Sequence, residues 1–257
     1  MRYNFVNDIG DYAKYALLRA LCASEEVLDM RLGVIWYLTV HQELNSDGRK
    51  RAHLSHKGWD GLDSELLGKM RSIEENLRDQ SDLHLSLVEQ ADILPKDTVF
   101  FSDPLPNTAG SPLKRREERA SWFARAQEVV ADCQLIFLDP DNGLEVRSIG
   151  SSSQLAGKYA TVAEISSLLS TGAGVVFYQH GDRSPWTTQR SRIRDQILSG
   201  MNQRNVTIRS VRFRAFGSRA FFCVSSQGNI TQSLNESLKK FEEHVSTWGK
   251  SRYFLFE

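Results

Sequence analysis

The sequence predicts an α/β fold, a mostly parallel sheet with helices on both faces and a terminal antiparallel hairpin. Three observations predict it. Short apolar runs rich in β-branched and aromatic residues alternate with amphipathic helical stretches, the order that builds parallel βαβ units. Near the end, Val206 to Phe216 and Arg219 to Ser225 flank the turn residues Gly217-Ser218, a hairpin signal. In mid-chain, Leu135-Ile136-Phe137-Leu138 breaks into Asp139-Pro140-Asp141-Asn142-Gly143-Leu144-Glu145. A buried strand that stops in such a cluster sets polar side chains at the carboxyl edge, where α/β sheets gather ligands.

The elements follow in order. Asp11 to Ala23 has Tyr12, Tyr15, Ala16, Leu18 and Leu21 at helical spacing, with Asp11 as candidate cap. Leu32 to Thr39 reads as the first strand, and a polar stretch from His41 to Lys50 follows with the turn Asp47-Gly48. Trp59 to Ile93 carries a stripe of Leu62, Leu66, Met70, Ile73 and Leu77, so residues 55–95 are expected to form a small helical insertion. Thr98 to Asp103 is a strand, and a proline-rich loop leads to a charged helix over Lys114 to Cys133. Gln134 to Asp139 is the central strand. Helix Thr161 to Leu169, strand Gly174 to His180 and helix Thr188 to Met201 come next. After the hairpin, Ile230 to Thr247 is helical and Tyr253 to Phe256 a last strand. Residues 1–257 are expected to form a single α/β domain.

The 257 residues suffice for a full core, and the 40% apolar and 25% charged content is that of a soluble globular protein. Formal charge is zero, so no global field selects a partner. Cys22, Cys133 and Cys223 are odd in number and unpaired in spacing, which points to reduced thiols and a cytoplasmic protein. No apolar run is long enough for a membrane span, and the first residues lack a signal-peptide pattern.

Several constellations carry chemistry. The Asp-Pro bond holds Asp139 extended, aiming its carboxylate out of the strand end. Asp139 and Asp141, joined by Asp103 or Glu145, are hard oxygen ligands for a divalent metal such as Mg²⁺. Alternatively Asp139 and Asn142 read an exocyclic amine, or the cluster is a turn satisfied by backbone N–H groups. Asp8, Asp11 and Lys14 recur every three residues and share one side of a first helical turn, as a site lining or a capping network. His180, at a strand end, is a candidate general base. His41, His53 and His56 read as surface histidines. The Arg183–Arg219 region holds nine arginines, a candidate phosphate face for a nucleic acid or nucleotide, with Trp186 near Arg212 and Arg214 for base stacking. There is no Walker A sequence, no G-x-S-x-G and no G-x-G-x-x-G after the first strand.

Three segments, Asn7 to Arg19, Leu32 to Thr39 and Phe137 to Glu145, resemble an uncharacterised family of bacterial proteins, a resemblance that implies no mechanism. The layout, a Rossmann-like methyltransferase-type sheet with a terminal hairpin and a helical insertion, is also similar to J-type ribosomal-RNA adenine-N6 methyltransferases. That resemblance implies S-adenosylmethionine as cofactor. It puts Lys14 at the family's N-terminal lysine and Asp139-Pro140-Asp141-Asn142 at its catalytic Asp-Pro-Pro-Tyr. Asp8, Asp11, Lys14 and Thr39 then line the cofactor side, and Asp139 accepts from the target amine. Asp141 and Asn142 replace Pro-Tyr, and Thr39 to Gly48 replaces a glycine-rich loop. Three functions are therefore expected in order: a nucleic-acid-directed methyltransferase-like enzyme, a Mg²⁺-dependent nuclease or phosphohydrolase, and a non-catalytic defence or sensor protein.

Overall fold

The structure is a computed structural model that describes residues 6–23, 30–39, 50–77, 84–106, 110–146, 149, 153–201, 205–226 and 228–257. The described helices are α1 (Ile9–Cys22), α2 (Ala52–Ser55), α3 (Ser64–Asn76), α4 (Ser86–Gln90), α5 (Pro112–Val129), α6 (Val162–Ser170), α7 (Trp186–Gly200) and α8 (Gly228–Thr247). The strands are β1 (Leu32–Trp36), β2 (Val99–Phe101), β3 (Leu135–Asp139), β4 (Gly143–Leu144), β5 (Tyr159–Ala160), β6 (Gly174–His180), β7 (Thr207–Phe213), β8 (Arg219–Ser225) and β9 (Phe254–Phe256).

The main sheet runs β2-β1-β3-β6-β8-β7-β9. Its first four strands are parallel, and β8, β7 and β9 add by antiparallel pairing. The expected α/β architecture, parallel at its centre and closed by a hairpin, is therefore present. None of the described helices is long and apolar enough to cross a membrane.

Side chains alternate between two apolar layers, as the period of two requires. Val34, Trp36, Leu135, Phe137, Val176, Phe221 and Cys223 face α1, α8 and the α2–α4 segment. Ile35, Ile136, Leu138, Val175, Phe177, Ala220 and Phe222 face α5, α6 and α7. Helix α1 is buried at every position from Ile9 to Leu18, between the sheet and its helical neighbours. That surround explains its mixed apolar spacing, since a helix covered on all sides keeps no polar face.

Some boundaries differ from the sequence reading. Asp8, not Asp11, caps α1, accepting from Gly10 and Asp11 N–H at 2.5 and 3.1 Å. Asp11 instead turns back to accept from the Asn7 N–H at 3.0 Å. Trp59 to Ile93 is not one helix: Asp63 caps α3, which ends at Asn76 before a second short helix. Helix α5 starts earlier than expected because Ser111 caps it and Pro112 fits its first turn. The ladder of β1 stops at Trp36 rather than Thr39.

After Asp139 the chain crosses to the end of β6. The Leu144 N–H donates to Gln179 Oε1 at 2.9 Å, and the His180 N–H donates to the Asn142 carbonyl at 3.1 Å. Gly143 makes this crossing possible, with φ +110° and a Cβ that would lie 2.3 Å from Gln179 Oε1. Gly143→Ala is expected to cost about 1–3 kcal/mol, the range of a backbone-incompatible substitution. Gly68, exposed within α3 with open space around it, is the counterpart: Gly68→Ala should add about 0.5–1 kcal/mol. Urea midpoints at constant slope check both.

Candidate functional site

The strand order reverses between β1 and β3. From β1 the chain leaves toward β2 on one side, and from β3 it proceeds to β6 on the other. The carboxyl ends of β1 and β3 therefore flank a topological switch point, the place where open α/β sheets bind ligands. Asp139 ends β3 there, in register with Trp36 of β1.

Alternation decides where Asp139 points. Leu135 and Phe137 face α1, so Asp139 does too. It meets Lys14, whose Nζ donates to Asp139 Oδ2 at 2.9 Å and to Asp11 Oδ1 at 2.7 Å, with all three side chains 4% exposed. The rings of Tyr15, Trp36 and Phe137 surround the ammonium at 5.2, 5.6 and 5.9 Å. Arg219, at the start of β8, brings Nη1 to 4.0 Å from Asp8 Oδ1. A Cβ on Gly10 would strike that guanidinium, so α1 and β8 meet across a glycine.

Three carboxylates thus share two cations in a dry setting. Burial opposes the Lys14 charge, but Asp11 and Asp139 outweigh it and lift the lysine above its ordinary value. Burial raises Asp11, Lys14 pulls it back, and the charges of Asp8 and Asp139 push it further, to about 6. Tyr15 is raised well above the usual phenol range by burial, then by Asp11 and Asp139.

The other predicted residues scatter around this centre. His180 is exposed one pleat beyond Tyr178, with Nδ1 3.2 Å from the Tyr178 hydroxyl. It lies opposite Arg219 in the β6–β8 ladder. Asp141 and Asn142 are half-buried, and the Asn142 carbonyl also accepts from Gln179 Nε2 at 3.1 Å. Glu145 anchors the next helix, accepting from the Val162 N–H at 3.0 Å. Thr39 is half-buried just past β1, while His41 to Gly48 lie outside the described residues. Asp103 follows the edge strand β2 and pairs with Arg125 at 3.4 Å, apart from the Lys14 cluster. Among the described residues no group of three or more His, Cys, Asp and Glu side chains is arranged to hold a metal ion.

Two surface readings are corrected. His53 is fully buried, its ring 5.5 Å from Tyr12 and 6.2 Å from Trp59, because α2 tucks under α1. Burial pushes its pKa down to about 4. Trp186 is buried too. Arg212 covers its ring at 5.1 Å and its indole N–H donates to Glu257 at 2.6 Å, so it has no open face for a base. In the arginine-rich region, Arg192 pairs with Asp182 at 2.7 Å and Arg190 with Glu257 at 3.3 Å. Arg183, Arg194, Arg209 and Arg214 are exposed, and Arg204 lies outside the described residues.

Sequence reasoning missed a second buried network on the opposite sheet face. Arg119 grips both Glu164 oxygens at 2.8 and 3.0 Å and donates to the Ala156 and Tyr159 carbonyls, and Tyr37 donates to Glu164 at 3.0 Å. The capping-box spacing Thr161-x-x-Glu164 was the one local signal of it.

No family model matches the chain, and no curated protein matches it. Eight solved chains match in structure. One is the crystal structure of a Legionella pneumophila (strain Philadelphia 1) protein described under the family model DUF519. It is 10% identical with a TM-score of 0.45, and the match covers 100% of this chain and 96% of that one.

Lys14→Met removes the shared ammonium and leaves two carboxylates buried against apolar rings. It should cost about 3–5 kcal/mol, with part recovered in Lys14→Met/Asp11→Asn, as urea unfolding will read. The pH dependence separates two groups of opposite sign. The folded-state pKa of Asp11 is raised, so its contribution is present below about 3.8 and lost as pH rises through about 6. For His53 it is lowered, so its contribution is present above about 6.5 and lost as pH falls toward about 4. Relative to the parent, Asp11→Asn should make stability rise more steeply with pH between 4 and 6, and His53→Phe should make it fall. Urea midpoints across that range check both.

Proposed function

We propose that the chain is a cytoplasmic, nucleic-acid-directed enzyme of Rossmann-like methyltransferase type, which transfers a methyl group from S-adenosylmethionine to an exocyclic amine of a base. One observation carries the reading. Asp139-Pro140 stands at the carboxyl end of the strand beside the topological switch, and Lys14 fixes its carboxylate from the first helix. An amine that must attack an electrophile gains from an acceptor held in one orientation, because its N–H is then directed and its lone pair aimed.

The cluster fits a cationic cofactor. Asp8, Asp11 and Asp139 outnumber Lys14 and Arg219, a charge balance that suits a cationic group. S-adenosylmethionine supplies a methyl group on a positively charged sulfur. The residues then have distinct roles. Asp139 accepts from the amine, Asn142 assists recognition, and Lys14 positions Asp139. His180, exposed at the neighbouring strand end, would accept the proton that the amine gives up on methylation. The metal-dependent alternative lacks a ligand cluster among the described residues.

Calorimetry with S-adenosylmethionine and its demethylated product tests the cofactor. Binding should weaken at least tenfold in Asp11→Asn, and no heat at millimolar ligand overturns methyl transfer. Transfer of labelled methyl to RNA or DNA should fall at least 100-fold in Asp139→Ala that retains its circular dichroism. Binding without turnover on any nucleic acid would point to the non-catalytic reading instead.

A further inference from the structure

The turn between β7 and β8 sits at the same sheet edge as Asp139. The Gly181 N–H donates to the Ser218 carbonyl at 2.8 Å, and Arg219 leads from the turn to Asp8. At the tip stands Phe216. It is the one aromatic residue among the exposed large hydrophobics described, 52% open to solvent. Its φ is +55°. A bulky residue in that conformation is strained, whereas glycine or asparagine sits there readily. The ring returns little burial for this strain, so packing does not account for it.

Basic residues flank the turn that carries Phe216. Lys50 Nζ donates to the Phe216 carbonyl. Arg214, exposed two residues earlier, donates to the Arg252 carbonyl at 2.9 Å. Arg212 reaches Ser218 at 3.0 Å, and its pKa is lowered by burial and by the neighbouring Arg214 charge, against the opposing pull of Glu257. Among the described residues none of Lys50, Arg212, Arg214 and Arg252 forms an ion pair with a carboxylate. An open ring on a turn flanked by Lys50 and Arg214, neither ion-paired with a carboxylate among the described residues, suits a polyanion with flat, stackable faces.

We propose that Phe216 is a base-stacking contact that seats a single-stranded nucleic acid at this edge, with Lys50 and Arg214 carrying its phosphates. The inference rests on the nucleic-acid reading above and adds the strand state and the contact residue. A single strand is specified because a base inside a duplex has no free face for the ring.

Fluorescence anisotropy with a labelled 12-nucleotide RNA, alone and as its duplex, over a salt series tests it. Phe216→Asn suits the positive φ and removes only the ring. It should weaken single-strand binding by about 5- to 100-fold with an unchanged salt slope, and Phe216→Trp should restore it. Arg214→Ala should instead reduce the slope by about 0.7. If the parent binds and Phe216→Asn matches it within twofold, or loses equally on the duplex, this inference is overturned and the enzyme reading stands. If the parent binds neither form, both are overturned. If stacking holds but S-adenosylmethionine never binds, only methyl transfer is removed.

Discussion

One ammonium group ties this fold together. Lys14 lies on a helix buried on every side and shares its charge between Asp11, one turn before it, and Asp139, 125 residues later in the chain. Desolvating an ion is expensive, and a pair rarely returns more than the cost of burying it. What the contact supplies is position. The lysine docks α1 onto the end of β3 in one register, since any slip would strand a charge among Tyr15, Trp36 and Phe137. The first helix and the central strand therefore define the candidate site as one unit.

The opposite sheet face repeats the device. Arg119, Glu164 and Tyr37 form a buried network whose remaining N–H groups reach Ala156 and Tyr159. It fixes the crossover that carries the chain from β3 toward β6. The segment from Asp139 to Glu145 is thus held at one end by Lys14 and at the other by the Val162 N–H and the β4–β5 pairing. Polar side chains in a segment pinned at both ends meet a ligand already ordered, which lowers the entropy that binding must overcome.

Much of the fold was legible because its signals are local. The bounds of β6 and β8 match those read from apolar runs, since a buried strand ended by Gly, His or Ser announces itself within a few residues. The insertion was less legible. A stripe from Leu62 to Leu77 looks continuous by period, yet the Asp63 cap starts its helix later. The site was half legible. The spacing of Asp8, Asp11 and Lys14 showed a shared helix side, and Asp139 showed a strand end. That Lys14 joins them depends on the parity of β3 and the depth at which α1 packs, which no local window contains. For the same reason His53 and Trp186 read as surface groups, and Arg219 read as one arginine among many rather than the neighbour of Asp8.

Charge distribution links these features to selectivity. With equal numbers of acidic and basic side chains, 32 each, the protein has no net field to steer a charged ligand. Discrimination must come from local separation. Carboxylates lie inside, around Lys14, and cations lie on the rim, at Lys50, Arg214 and Arg252, joined to the interior through Arg219. Screening by salt weakens the exposed rim far more than the buried centre. Ionic strength therefore acts mainly on the rim, while Lys14 keeps its two carboxylate partners in the buried centre.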